Sequence, residues 1–149
     1  MAANVAIRTL RGDERSAWEP LWKGYLDFYR TTLPKEVYDA TWARLHDPNE
    51  PMALLGGYVN GRLKGIVHYL YHRSCWTVGD YCYLQDLFVA PEARRCGLGR
   101  ALIEAVYREA RLAGASRVYW LTHERNATAR ALYDTLADRP GFIQYRKVF

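Results

Sequence analysis

The sequence predicts an α/β domain, a mixed β-sheet with helices packed on it, in the order βααβββαβαβ. Three observations carry this. Two β-rich runs meet at Asn60-Gly61, the dipeptide a type I′ hairpin turn requires because both central residues need positive φ. A strand-like run, a glycine-bearing turn and an amphipathic helix follow one another between Tyr81 and Gly114. Ahead of the hairpin, apolar residues recur at three- and four-residue spacing, which marks helices preceding the main sheet.

In chain order, Asn4 to Leu10 alternates apolar and polar side chains as a short strand does. From Asp13 to Arg30 the helical set is Trp18, Leu21, Trp22, Tyr25, Leu26 and Tyr29, with Pro20 near the start or at a break. Pro34 opens a second helix reaching Leu45, since the first helical turn tolerates a missing N–H. The hairpin strands are Met52 to Val59 and Arg62 to Tyr71. Tyr81 to Val89 is the next strand and Pro91 ends it. Leu98, Leu102, Val106, Ala110 and Ala113 then form one face of a helix closing at Gly114. Arg117 to Leu121 reads as a buried-type strand. Asn126 is placed to cap a helix carrying Ala129, Leu132, Tyr133 and Leu136, and Pro140-Gly141 breaks it before a last strand, Phe142 to Val148.

These 149 residues suit one domain, 1–149, able to bury a core without disulfides or metal. Apolar runs are only a few residues long, against the roughly 18 to 20 needed to span a bilayer, and no signal peptide opens the chain, so no membrane partner and a cytoplasmic address are expected. Cys75, Cys82 and Cys96 lack paired or metal-ligand spacing and read as reduced thiols, with no metal site. The net charge of +5 invites a nucleic-acid reading, but eight arginines fall between Arg94 and Arg130 around the glycine turn. That distribution suits a small phosphorylated ligand equally well, and a nucleic-acid partner is disfavoured.

The chemistry concentrates in Arg94-Arg95-Cys96-Gly97-Leu98-Gly99-Arg100, between strand and helix. Glycines let backbone N–H groups approach an anion and the helix N-terminus adds partial positive charge, so the segment reads as a pyrophosphate cradle; by itself it is equally compatible with a tight connection. A dinucleotide fingerprint would need a third glycine near Leu102, and a Walker loop would need Gly-Lys-Ser/Thr; neither is present.

Taken together, Tyr83-Leu84-Gln85-Asp86-Leu87-Phe88-Val89, then Arg94-x-x-Gly97-x-Gly99, then Asn126-x-x-Ala129-x-x-Leu132-Tyr133 resemble the motifs of the GNAT N-acetyltransferase superfamily, nearest in look to its polyamine and histone/polyamine enzymes. The resemblance implies acetyl-CoA as co-substrate, a primary amine or lysine-containing peptide as acceptor, and a homodimer. It also implies roles by position. Leu87, Phe88 and Val89 would offer backbone to the pantetheine arm, with the Leu87 N–H facing the oxyanion. Arg94, Arg95, Cys96, Gly97, Leu98, Gly99 and Arg100 would hold the pyrophosphate. Asn126 would reach the pantetheine amides, Ala129 would leave room, and Tyr133 would protonate the departing thiolate.

Where the polyamine-type enzymes carry a glutamate this chain has Gln85, and an amide is no general base. Asp86 would serve through a water, or Gln85 would hold a water that relays the proton elsewhere. Strict alternation places Asp86 with Leu84 and Phe88, while a bulge would break that parity. An acetyl-CoA-binding module with little turnover is the alternative. Trp22, Tyr25 and Tyr29 read as core, and His46, His68 and His72 as structural or exposed. His123, with Glu124, lies where substrate would pass.

Overall fold

The structure, a computed structural model, describes residues 3–149. Five strands form one sheet in the order β1-β2-β3-β4-β5: β1 Val5–Arg8, β2 Met52–Val59, β3 Arg62–His72, β4 Tyr81–Val89 and β5 Val118–Tyr119. The first four are antiparallel neighbours, and β5 lies parallel to β4. Parallel strands need a crossover, which helix α3, Leu98–Leu112, provides. Helices α1, Arg15–Phe28, and α2, Lys35–Leu45, precede the hairpin, and α4, Ala127–Tyr133, follows β5.

Two cores lie on opposite faces of the sheet, sorted by strand alternation. Leu54 and Ile66 join Trp18, Leu21, Trp22 and Leu26 of α1 and Leu45 of α2. Their neighbours Leu55 and Val67 point the other way, onto Leu98, Leu102, Ile103 and Val106 of α3. Helix α1 runs close to the sheet because Gly24 has no side chain: a Cβ there would stand 2.8 Å from the Phe88 ring. Pro20 lies inside α1 on an exposed position, so water can replace the backbone bond its ring removes.

The C-terminal expectations fail. Arg117 to Leu121 was expected as a buried strand, but only Val118–Tyr119 pair and Leu121 is exposed. No strand forms over Phe142 to Val148; Phe142, Ile143, Tyr145, Val148 and Phe149 are exposed. A strand requires a neighbour to take its ladder bonds, and this segment has none within the described chain. Helix α4 also stops at Tyr133, leaving Leu136 in the turn beyond it.

Candidate active site

The centre of β4 departs from strict alternation. Asp86 pairs with His68 of β3, and the next partners are Leu84 and Tyr69, so Gln85 is an extra residue without a partner. The bulge reverses parity: Cys82 and Leu84 pack toward α3, whereas Asp86 and Phe88 face α1. Asp86 therefore shares a face with Phe88 and not with Leu84, because one inserted residue moves every later side chain to the opposite face.

Asp86 is buried in the wall of a cavity of about 320 Å³ between α1, α2 and the sheet. Among the described residues that wall carries this one carboxylate and no lysine or arginine; Trp22, Tyr25, Leu26, Met52, His68 and Gln85 belong to it. Trp22 and Tyr25 thus line the cavity as well as pack. His68, read from sequence as structural or exposed, is buried, and its Nδ1 lies 3.0 Å from Asp86 Oδ2. Trp18 Nε1–H donates to His68 Nε2 at 3.0 Å. Alternation with the buried Ile66 was a sequence signal that His68 points inward; its partner depended on the bulged register.

The tyrosines tie this cavity to the rest of the site. Burial first, and then the Asp86 charge, push the phenols of Tyr25, Tyr29 and Tyr83 above their ordinary range. Burial pushes Tyr133 up to about 12, with a smaller contribution from Tyr29. Tyr29, at the end of α1, thus senses both Asp86 and Tyr133. The Tyr133 ring stands edge-on to Trp120 at 5.4 Å, half-buried. A phenol in this state is protonated throughout the neutral range and is available as a donor.

On the other side of Asp86, β4 has an open edge. Its parallel pairing with β5 covers only Cys82 and Tyr83, where the Tyr83 and Tyr119 rings stack at 5.0 Å. Beyond that rung the strands part, so Leu87, Phe88 and Val89 keep one backbone edge unpaired by any strand. Arg94 Nε–H donates to the Val89 carbonyl at 3.1 Å and steers the chain into the turn. Arg95 adopts φ 71° and Gly97 φ 79°. Gly97 is the N-cap of α3, without a side-chain cap, and the first helical bond runs from Ala101 N–H to Gly97 C=O. The N–H groups of Leu98, Gly99 and Arg100 are consequently left for an anion at the helix N-terminus.

The remaining positions are mixed. Gly99 faces α4, where a Cβ would meet Leu132 at an ordinary 3.6 Å. Arg100 donates to Thr135 Oγ1 and Cys96 Sγ–H to the Ala93 carbonyl. Asn126 is the N-cap of α4 by position, but its side chain does not cap the helix; its Nδ2 reaches Thr122 Oγ1 at 3.5 Å. Ala129 is half-buried one turn before Tyr133, and His123 and Glu124 are exposed before the helix. The open edge at Leu87 to Val89 adjoins the Asp86 cavity on β4, and the α3 N-terminus with its free donors follows that strand through the glycine turn.

The sequence profile of the Acetyltransferase (GNAT) family matches residues 18–137. The chain belongs to this family. The GNAT chain is 36% identical over 145 residues to the D-amino-acid N-acetyltransferase HPA3 of Saccharomyces cerevisiae, covering 96% of this chain and 90% of that one. It is 39% identical over 79 residues to a thialysine N-epsilon-acetyltransferase of Caenorhabditis elegans, covering 53% of this chain and 49% of the relative. Among solved structures, an aminoglycoside N-acetyltransferase in complex with CoA superposes with a TM-score of 0.82 at 19% identity, covering 99% and 97% of the two chains. The ribosomal-protein-alanine N-acetyltransferase of Brucella melitensis gives 0.81 at 21% identity over 98% and 100%. The GNAT chain is an acetyl-CoA-dependent N-acetyltransferase.

Proposed function

We propose that this enzyme acetylates a small primary amine by direct attack on the thioester, with the ammonium bound in the cavity at Asp86. The observation that carries the reading is the single buried carboxylate in a cavity wall of aromatic and apolar residues without a cation. Such a wall favours a cation on an apolar arm and disfavours a second anion. Relatives named for D-amino acids and thialysine support an amine on a small molecule.

The proposed chemistry balances in four transfers. Asp86 takes one proton from the ammonium, directly or through a water held with Gln85. The amine nitrogen bonds to the carbonyl carbon, and the open edge at Leu87 supplies a backbone N–H to the oxygen as charge grows there. The carbon–sulfur bond breaks toward sulfur, and Tyr133 donates to the thiolate. The nitrogen's second proton, lost on amide formation, replaces the one Tyr133 gave. Leu87, Phe88 and Val89 would line the pantetheine arm, with Asn126 and Ala129 beside it, and Arg94 through Arg100 would hold the pyrophosphate. No covalent enzyme intermediate enters this sequence.

The exposed C-terminal residues Phe142 to Phe149 support a homodimer in which the tail pairs with a second copy. Three free cysteines fit a reducing, cytoplasmic setting.

Thiol release from acetyl-CoA, measured with lysine, thialysine, D-amino acids, spermidine and a lysine peptide, tests the proposal. Turnover is expected with at least one small amine and is strongly reduced in Gly99→Glu, which adds a negative charge to the helix N-terminus offered to the diphosphate. Binding of acetyl-CoA without acetylation of any amine would instead favour the non-catalytic module that Gln85 suggests.

A further inference from the structure

We propose that Trp18 and His68 are positioning residues that set the charge of the amine cavity by locking the protonation state of the imidazole; this rests on the reading of Asp86 as the ammonium partner. An indole N–H can only donate, so the 3.0 Å contact from Trp18 Nε1 requires His68 Nε2 to be an unprotonated acceptor. The single ring proton is then on Nδ1 and is donated to Asp86 Oδ2, also at 3.0 Å. The pair is a neutral imidazole bonded to a carboxylate, not an ion pair, and the cavity carries one net negative charge.

That charge state matters because the alternative would disable the site. An imidazolium at His68 would neutralise Asp86, removing both the attraction for an incoming ammonium and the carboxylate's readiness to take its proton. Burial protects the lock: Trp18 is fully buried, and His68 and Asp86 are nearly so. The other titratable groups around the pair are Tyr25 and Tyr29 of α1, Tyr83 of β4 and, in the same cavity wall, Tyr69 of β3, all neutral in the physiological range. From α2, Val37 and Thr41 line the cavity and Tyr38 packs edge-on against Trp18 at 6.4 Å. The indole N–H, aimed at Nε2, leaves no room for a second ring proton, and an aromatic hydrocarbon at position 18 would pack there without that constraint.

Two measurements test the lock. The ¹⁵N chemical shifts of His68 in the wild-type enzyme at neutral pH report the tautomer without any substrate: protonated Nδ1 with unprotonated Nε2 is expected, and an imidazolium or Nε2–H form overturns the proposal. In Trp18→Phe, the acidic limb of kcat/KM for the amine moves to higher pH, with KM for the amine raised about tenfold near pH 6.5 and recovery at alkaline pH. His68→Asn, which keeps an N–H for Asp86 and cannot ionise, retains the wild-type profile shape. A wild-type acidic limb in folded Trp18→Phe would also overturn it. Failure of the Asp86 reading is separable, because Asp86→Asn would then leave the profile unchanged while the ¹⁵N shifts still reported the locked tautomer.

Discussion

Single residues decide whether the β4 region is a reaction centre or only a packed strand, and Tyr133 is the sharpest case. Its place on the apolar stripe of α4 suits a core tyrosine equally well, yet its burial, its closeness to Tyr29 and its freedom from a side-chain partner among the hydrogen bonds of the described residues leave the phenol available. Tyr133→Phe keeps the ring and is expected to lower kcat by roughly 10- to 1,000-fold with little change in acetyl-CoA affinity. Wild-type turnover in that variant would return Tyr133 to a packing role. As candidates, Asp86 and Tyr133 were legible in their motifs. His68 was not, because its role depends on register: the extra residue at Gln85 turns Asp86 toward His68, and local periodicity cannot register an insertion whose effect appears only against a neighbouring strand.

At the scale of elements, α1 has to be held at one distance from the sheet for Tyr25 and Tyr29 to reach Asp86. Gly24 over Phe88 sets that distance in the middle, and Glu14 anchors the entry to the helix. Glu14 accepts from Arg8 of β1 at 2.9 Å, from the Arg11 backbone N–H at 2.9 Å and from the Tyr58 hydroxyl of β2 at 2.7 Å. The Arg8 bond foremost holds its carboxyl down to about 2 from an ordinary 4.5, against a burial effect of opposite sign. Because the folded value is depressed, this stabilisation is full above about pH 4.5 and is lost as pH falls toward about 2. Allowing for the water-exposed side of Arg8, it amounts to about 1–2 kcal/mol at neutral pH. Glu14→Gln should therefore lower Tm by several degrees, roughly 2–4 °C per kcal/mol for a chain of this size, and flatten the acid limb of the stability curve. An unchanged acid limb, measured by thermal melts from pH 7 to 3, would remove Glu14 from the account. Such an anchor leaves only a weak trace in sequence, since Arg8, Glu14 and Tyr58 share no local spacing.

For the molecule as a whole, the order βααβββαβα was readable because each helix and hairpin is specified locally, by aromatic spacing, Asn60-Gly61 and the Gly97 turn. The strand expected over Phe142 to Val148 was not formed, since a strand is completed by its neighbour and alternation alone supplies none. The fold brings two independent features to one place: an open strand edge leading from a helix N-terminus, and a cavity with one buried carboxylate. The central claim is that acetyl donor and amine meet there and that Asp86 receives the amine's proton. An alkylamine with a pKa near that of lysine, roughly 10.4, enters mostly protonated at neutral pH, so the need for that acceptor is greatest there. The most direct measurement is the pH dependence of kcat/KM for the preferred amine in Asp86→Asn against wild type, in protein whose melting shows it folded. A deep loss near pH 7 that partly recovers as pH rises and free amine becomes available is the expected result; a profile of wild-type height and shape would contradict the account.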